Sequence, residues 1–259
     1  MEKAREVRLR PGQPVTVIGQ DGIWRGTSIL TPAEVTQAAQ ALSGYALAAH
    51  REEMNRGFLP LPGGHRLGVC GGMGPEGLNE ITSLCVRLAH EVKGAGADVY
   101  PRIKGRSVLI AGPPGAGKTT LLRDLIRLYS LDGFQVAVAD ERGEIAACRD
   151  GMPQLDVGPM TDVVSGMDKA KALPLLIRAM APQVVAADEI GGEEDAAALL
   201  DARRCGVIAL ATVHGRNGAD VRLRGVDSLL RAGAFEKLVC LDAVGVKPKI
   251  LNWDEGEEA

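Results

Sequence analysis

Ser107-Val108-Leu109-Ile110-Ala111-Gly112-Pro113-Pro114-Gly115-Ala116-Gly117-Lys118-Thr119-Thr120 decides the fold of this chain. Gly112 to Thr119 fits the pattern G-x-x-x-x-G-K-[ST] without a departure. Val108 to Ala111 is a short apolar run of the kind that fills a buried parallel strand. Beyond Lys118, the residues Leu121, Leu122, Leu125, Ile126 and Leu128 recur at helical spacing. Strand, glycine-rich loop and helix therefore follow in the order a phosphate-binding loop needs. Its backbone N–H groups, together with the positive end of the helix dipole, make a cradle for phosphate oxygens. Gly112, Gly115 and Gly117 let the backbone bend and come close to the phosphates. Pro113, Pro114, Ala116 and Thr120 complete the ATP-binding segment. Lys118 is expected to reach the β- and γ-phosphates, and the Thr119 hydroxyl to take a Mg²⁺ position. The stretch implies a nucleotide site.

Working outward from it, the residues that follow alternate strand and helix, which predicts a parallel sheet covered on both faces. The strands are expected at Val108–Ala111, Gln135–Ala139, Val184–Ala187 and Val207–Ala211, with helices at 118–129, 170–180, 193–204 and 217–231. Val239 to Ile250 would finish the sheet as one or two edge strands, Pro248 suiting an edge. Residues 253–259 read as a frayed acidic tail.

The residues before the loop read differently. Val7 to Arg10 and Val15 to Ile18 are extended, Asp21-Gly22 signals a hairpin turn, and Thr31-Pro32-Ala33-Glu34 starts a helix with a capping box, running to about Ser43. A second helix is expected over 46–54. Gly63-Gly64 turns another hairpin, Gly68 to Gly72 is expected as linking backbone, and Ile81 to Arg87 as a strand. Gly94 to Ala97 is the expected linker. The reading is thus α/β: a small α+β domain over 1–95, then a P-loop domain with a parallel-strand core over 96–252.

Composition narrows the function classes. A net charge of -3 gives no global attraction to nucleic acid or to an anionic membrane, and 3% aromatic residues leave little for base stacking. No nucleic acid is expected as a partner; Arg222, Arg224 and Arg231 read as a solvated helix face. The five cysteines form no C-x-x-C pair, so neither zinc nor a disulfide framework is indicated, and Cys85, Cys205 and Cys240 are expected to be buried. No apolar run nears the roughly 18 residues that span a bilayer, and the first residues hold no signal-peptide core, so a cytoplasmic protein with at most a peripheral membrane role is expected.

Ligands of such sheets bind outside the carboxyl ends of the strands. The second strand ends in Asp140-Glu141-Arg142-Gly143-Glu144, the third in Asp188-Glu189 and the fourth in Thr212-Val213-His214. Asp188 or Glu189 is expected to bind Mg²⁺ through water, alongside Thr119; a carboxylate there, or Glu141 or Glu144, to orient the attacking water; His214 to sense the γ-phosphate. Which glutamate activates water stays open. His50, His65 and His90 read as structural.

A P-loop, an acidic box one strand later, a Walker B glutamate and a strand-end histidine resemble the type II/type IV secretion ATPases. The resemblance implies a RecA-like fold, with Glu141 and Glu144 matching the acidic box, Glu189 the Walker B glutamate and His214 the histidine box. Asp188 stands where the typical motor has glycine. Val7 to Pro14, Pro62 to Gly68, Arg87 to Gly94, Asp140 to Ile145 and Asp188 to Gly191 resemble a sporulation branch of that family, over nearly the whole chain. The chain starts close to its first strand, where the resemblance implies a leading helix.

What this implies is a ring-forming, hexameric ATPase using ATP and Mg²⁺, peripheral on the mother-cell side of the membrane. Its partners would be copies of itself and membrane-embedded channel proteins of the sporulation apparatus. The small domain would supply arginines in trans, with Arg66, Arg87 and Arg178 as candidates. The alternative reading is a P-loop kinase acting on a small molecule or nucleotide. It is weakened by the lack of an arginine-rich lid after the third strand.

Overall fold

A computed structural model describes residues 4–19, 21–44, 58–74, 77–215, 220 and 232–252, in two compact units, Met1–His90 and Glu91–Ala259. The expected helix over 46–54, the one over 217–231 save residue 220, His50, Arg222, Arg224, Arg231 and the acidic tail lie outside the described residues.

The first unit carries a six-stranded antiparallel sheet. Its strands are β1 (Ala4–Leu9), β2 (Pro14–Gly19), β3 (Gly22–Ile29), β4 (Leu59–Pro60), β5 (Arg66–Gly74) and β6 (Gly77–Arg87), ordered β3-β2-β1-β6-β5-β4. Helix α1 (Pro32–Leu42) starts as the sequence predicts. The Glu34 amide donates to Thr31 Oγ1 at 3.2 Å and the Thr31 amide donates to Glu34 Oε2 at 2.7 Å. Val35 and Ala39 of α1 pack on Leu59, Leu67 and Leu84. Register places Glu6 opposite Arg87 and Arg87 opposite Arg66, so these three share the other face of the sheet. Gly68 to Gly72, expected as linking backbone, is instead the middle of β5. Its partners on β6 give the glycine backbone the ladder bonds that its missing side chains cannot suggest. His65 and His90 are structural, as expected. His65 Nδ1 accepts the Ala89 amide at 2.9 Å, and His90 Nε2 lies 2.7 Å from the Ala4 carbonyl.

The second unit opens with a short helix, α2 (Tyr100–Ile103), and then builds a seven-stranded sheet. Its strands are β7 (Val108–Gly112), β8 (Val136–Asp140), β9 (Thr161–Ser165), β10 (Val184–Ala187), β11 (Ile208–His214), β12 (Lys237–Cys240) and β13 (Lys249–Asn252). They are ordered β13-β12-β7-β11-β10-β8-β9, all parallel except β13. Among the described residues three long helices cover it: α3 (Lys118–Leu131), α4 (Lys169–Met180) and α5 (Glu193–Arg204). Alternate residues of one strand enter different cores. Leu109 and Ala111 join Leu173, Leu176 and Leu199 of α4 and α5, whereas Val108 and Ile110 join Leu121, Leu122 and Leu125 of α3. Apolar side chains on both faces are what the unbroken hydrophobic runs of β7, β8 and β10 require.

Three expectations change. β12 is interior, between β13 and β7, so of these two strands β13 alone lies at an edge; Pro248 directly precedes it. β9 is an edge strand beside β8 that the sequence analysis missed, because its Thr161-Asp162-Val163-Val164-Ser165 is too short and polar to stand out. Cys205 is exposed and Cys85 half-buried, whereas Cys240 is buried as expected. Cys205 closes α5 through its backbone, a role that does not bury its thiol.

Candidate active site

The strand order puts β11 between β7 and β10, so the carboxyl ends of β7, β11, β10 and β8 lie side by side. The glycine-rich loop leaves β7 and enters α3 through Gly117, whose φ of 93° is left-handed; Gly115, at φ 76°, is left-handed too. A Cβ on Gly112 would stand 2.7 Å from the Leu241 carbonyl oxygen, so only glycine passes there. Lys118 is largely buried, and its Nζ donates to the Gly112 and Pro113 carbonyls at 3.0 and 3.1 Å. Burial holds its ammonium below the usual lysine range, against the pull of Asp188 and Glu189.

The loop and the strand ends are joined by one hydrogen-bonded chain. Lys118 Nζ lies 3.2 Å from His214 Nδ1, and His214 Nε2 lies 3.0 Å from Glu189 Oε1. Thr119 Oγ1 donates to Asp188 Oδ2 at 2.7 Å, and the Thr212 hydroxyl donates to Asp188 Oδ1. The Glu189 amide donates to Thr212 Oγ1 at 2.8 Å, with Glu189 at φ 51°, a left-handed conformation unusual for a side-chain-bearing residue. Lys118, Thr119, Asp188, Glu189 and His214 are thus brought together. Thr212, fully buried at the centre of this chain, was given no role from sequence.

Burial raises the Asp188 carboxyl above the usual range, which the hydroxyls of Thr212 and Thr119 only partly offset, and the charges of Glu144 and Glu189 raise it further. A buried carboxylate and a hydroxyl 2.7 Å apart form the hard oxygen set that Mg²⁺ prefers, so these residues fit the ion. The left-handed glycines of the loop likewise fit a phosphate chain.

The acidic box is a braced loop. Asp140 caps its own turn, Oδ1 accepting the Glu144 and Ile145 amides at 2.8 and 3.0 Å and Oδ2 those of Ala146 and Ala147 at 2.9 and 3.2 Å. From α3, buried Arg123 donates to the Ile145 and Glu144 carbonyls, each at 2.6 Å. Lys169, at the start of α4, donates to Glu141 Oε2 at 2.6 Å and lies 3.7 Å from Asp195. Arg142 reaches across and pairs with Glu189 Oε2. Asp140, Glu141, Arg142, Glu144, Lys169, Asp188 and Glu189 line one cleft. Arg123, Arg142 and Lys169 went unassigned from sequence. The spacing of Arg142 between two glutamates was the available signal for one of them.

None of the three candidate arginines is among those lining residues. Arg66 lies over the Phe58 ring, 4.6 Å from its centroid, and Arg87 is 4.0 Å from Glu6 with most of its side chain exposed. Arg178 Nε donates to the Pro174 carbonyl within α4 at 3.2 Å.

Known proteins share this fold. The ATPase DotB of Legionella pneumophila superposes with a TM-score of 0.67 at 16% identity, covering 97% of this chain and 78% of that one. The pilus retraction motor PilT, solved with ADP, gives 0.68 at 16% identity, covering 91% and 73%. At such identities the likeness is one of fold: a RecA-like sheet preceded by a smaller α+β unit, as in the secretion ATPases. In sequence the chain is 36% identical over 246 residues to the stage III sporulation protein AA of Bacillus subtilis (strain 168), covering 90% of this chain and 80% of that protein. Residues 1–255 match the family described as sporulation stage III, protein AA, and the chain belongs to that family.

Proposed function

We propose that this chain is the ATP-hydrolysing motor of a secretion-like channel apparatus in endospore formation. It works as a ring, of six copies on the family resemblance, on the cytoplasmic, mother-cell side of the membrane. The observation that carries this reading is the chain of contacts from Lys118 through His214 to Glu189, parallel to that from Thr119 through Asp188 to Thr212. It ties the phosphate loop to the two acidic residues across one intervening strand.

The loop from Gly112 to Thr120 cradles the phosphates, and Lys118 leaves the Gly112 and Pro113 carbonyls to meet the β- and γ-phosphoryl oxygens. Thr119 and Asp188 would hold Mg²⁺, which when bound would supply charge neutralisation at the phosphates. Glu189 accepts a hydrogen bond from the attacking water, whose oxygen bonds to the γ-phosphorus as the bond to the ADP oxygen breaks. His214, between Lys118 and Glu189, reports whether Lys118 has moved to a phosphate. Glu141, held by Lys169, and Glu144 shape the opposite wall. In the ring, Arg66 and Arg87 of one copy's small domain, with Arg178 as a further candidate, approach the neighbour's γ-phosphate. Membrane channel proteins receive the motion, and among the described residues no helix is long and apolar enough to cross a bilayer.

The test is molar mass in solution with and without Mg²⁺ and a non-hydrolysable ATP analogue, with turnover read on the same sample. A nucleotide-dependent ring that hydrolyses ATP supports the motor. Turnover only in the presence of a second phosphate acceptor moves the chain to the kinases.

A further inference from the structure

We propose that Arg142 is a positioning residue that restrains Glu189 in the resting site; this rests on the ATPase reading above. Both carboxylate oxygens of Glu189 are engaged, Oε1 with His214 Nε2 at 3.0 Å and Oε2 with the Arg142 guanidinium. The oxygen held by Arg142 is turned to the guanidinium rather than to a water.

The base from which Arg142 reaches is rigid. Asp140 binds four backbone amides of the loop that follows Arg142, and Arg123 ties the same loop to α3. The Arg142 side chain is 63% exposed, against 27% for Glu189. A pair so exposed is weak, so it opens and closes readily. The restraint is therefore light. It holds Glu189 in an idle position for part of the time, with nucleotide in the loop as well as without, and so lowers turnover.

The sign of the effect separates this role from a direct one. An arginine that touches the phosphoryl group accelerates the reaction, and losing it slows turnover. An arginine that restrains the water-orienting carboxylate slows the reaction, and losing it speeds turnover.

Full-length wild type, Arg142→Ala and Arg142→Lys are compared for steady-state MgATP hydrolysis, for binding of a fluorescent ATP analogue and for thermal unfolding. The restraint predicts that Arg142→Ala raises kcat about two- to five-fold, the range an exposed ion pair supports, with KM within about two-fold. Arg142→Lys keeps a cation in reach of Glu189 and stays close to wild type. A folded Arg142→Ala chain that turns over more slowly than wild type overturns the restraint while leaving the ATPase reading intact. If Arg142→Ala does not fold, Arg142→Lys and Arg142→Gln carry the same comparison, and equal kcat in Lys, Gln and wild type overturns it. Nucleotide binding without turnover in every variant removes both readings together.

Discussion

The two units bury their sheets in opposite ways. In the second, β7, β8 and β10 are buried along their whole length, with helices supplying a core on each face, so polar side chains that act on a ligand collect at strand ends. In the first, α1 packs on one face through Leu67 and Leu84, while the other face carries Glu6, Arg66 and Arg87 along the strands. A parallel sheet between helices concentrates chemistry at one rim. An antiparallel sheet distributes charge across a face, where it suits recognition of another surface.

The largest test of that contrast is at the rim. Lys118→Ala is expected to lower turnover by about 10²–10³-fold, as removal of a preorganised charge partner does, with loss of ATP binding by equilibrium titration. Glu189→Gln is expected to cost about 10²–10⁴-fold in turnover while leaving ATP binding and assembly intact. Wild-type turnover in that variant would move water activation to Glu141 or Glu144.

The face of the first unit is tested by Arg87→Ala. Its pair with Glu6 at 4.0 Å is exposed, so stability changes by no more than about 1 kcal/mol. Turnover is expected to fall by up to roughly 10³-fold if the arginine acts on a neighbour's nucleotide. Mixing Arg87→Ala chains with Glu189→Gln chains should restore activity that neither has alone. An unrestored mixture would confine the arginine to its own chain.

A smaller effect concerns stability. The Asp188 carboxyl is raised by burial, so the folded chain keeps its proton at pH values where the unfolded chain has lost it. Stability without nucleotide therefore falls as pH rises from the ordinary carboxylate range through the raised value. Asp188→Asn removes that slope and is expected to stabilise the apo protein by about 0.5–2 kcal/mol at neutral pH, in thermal melts, while abolishing Mg²⁺-dependent binding. On the other unit, Thr31→Ala removes the cap of α1 and is expected to cost about 1 kcal/mol in denaturant unfolding, with little change in ATP affinity.

Much of the rim was legible in the sequence, because a phosphate loop is local: the order of glycines, lysine and threonine sets backbone geometry within a dozen residues. The strand-end carboxylates were legible because short apolar runs announce buried strands and so mark where they stop. β9 was not, since its pairing with β8 depends on a neighbour that lies more than twenty residues earlier. The glycines of β5 read as a linker for another reason: they carry no side chains whose alternation would mark a strand, although their partner β6 is the next strand in the chain. Arg142, Lys169 and Arg123 were opaque because charged residues are common in turns and helices, and their meaning lies in the partner across the fold.

By itself the sequence determined that this chain has a P-loop followed by a parallel α/β unit, that an antiparallel hairpin unit precedes it, and which residue types end each strand. Glycine torsions, capping and apolar periodicity act over a few residues, so they are written locally. Tertiary structure alone decided that β11 lies between β7 and β10, and therefore that Thr212 joins Asp188 to Glu189 and His214 joins Lys118 to Glu189. Strand order is set by how helices pack on the two faces of the sheet, which no short stretch of the chain encodes.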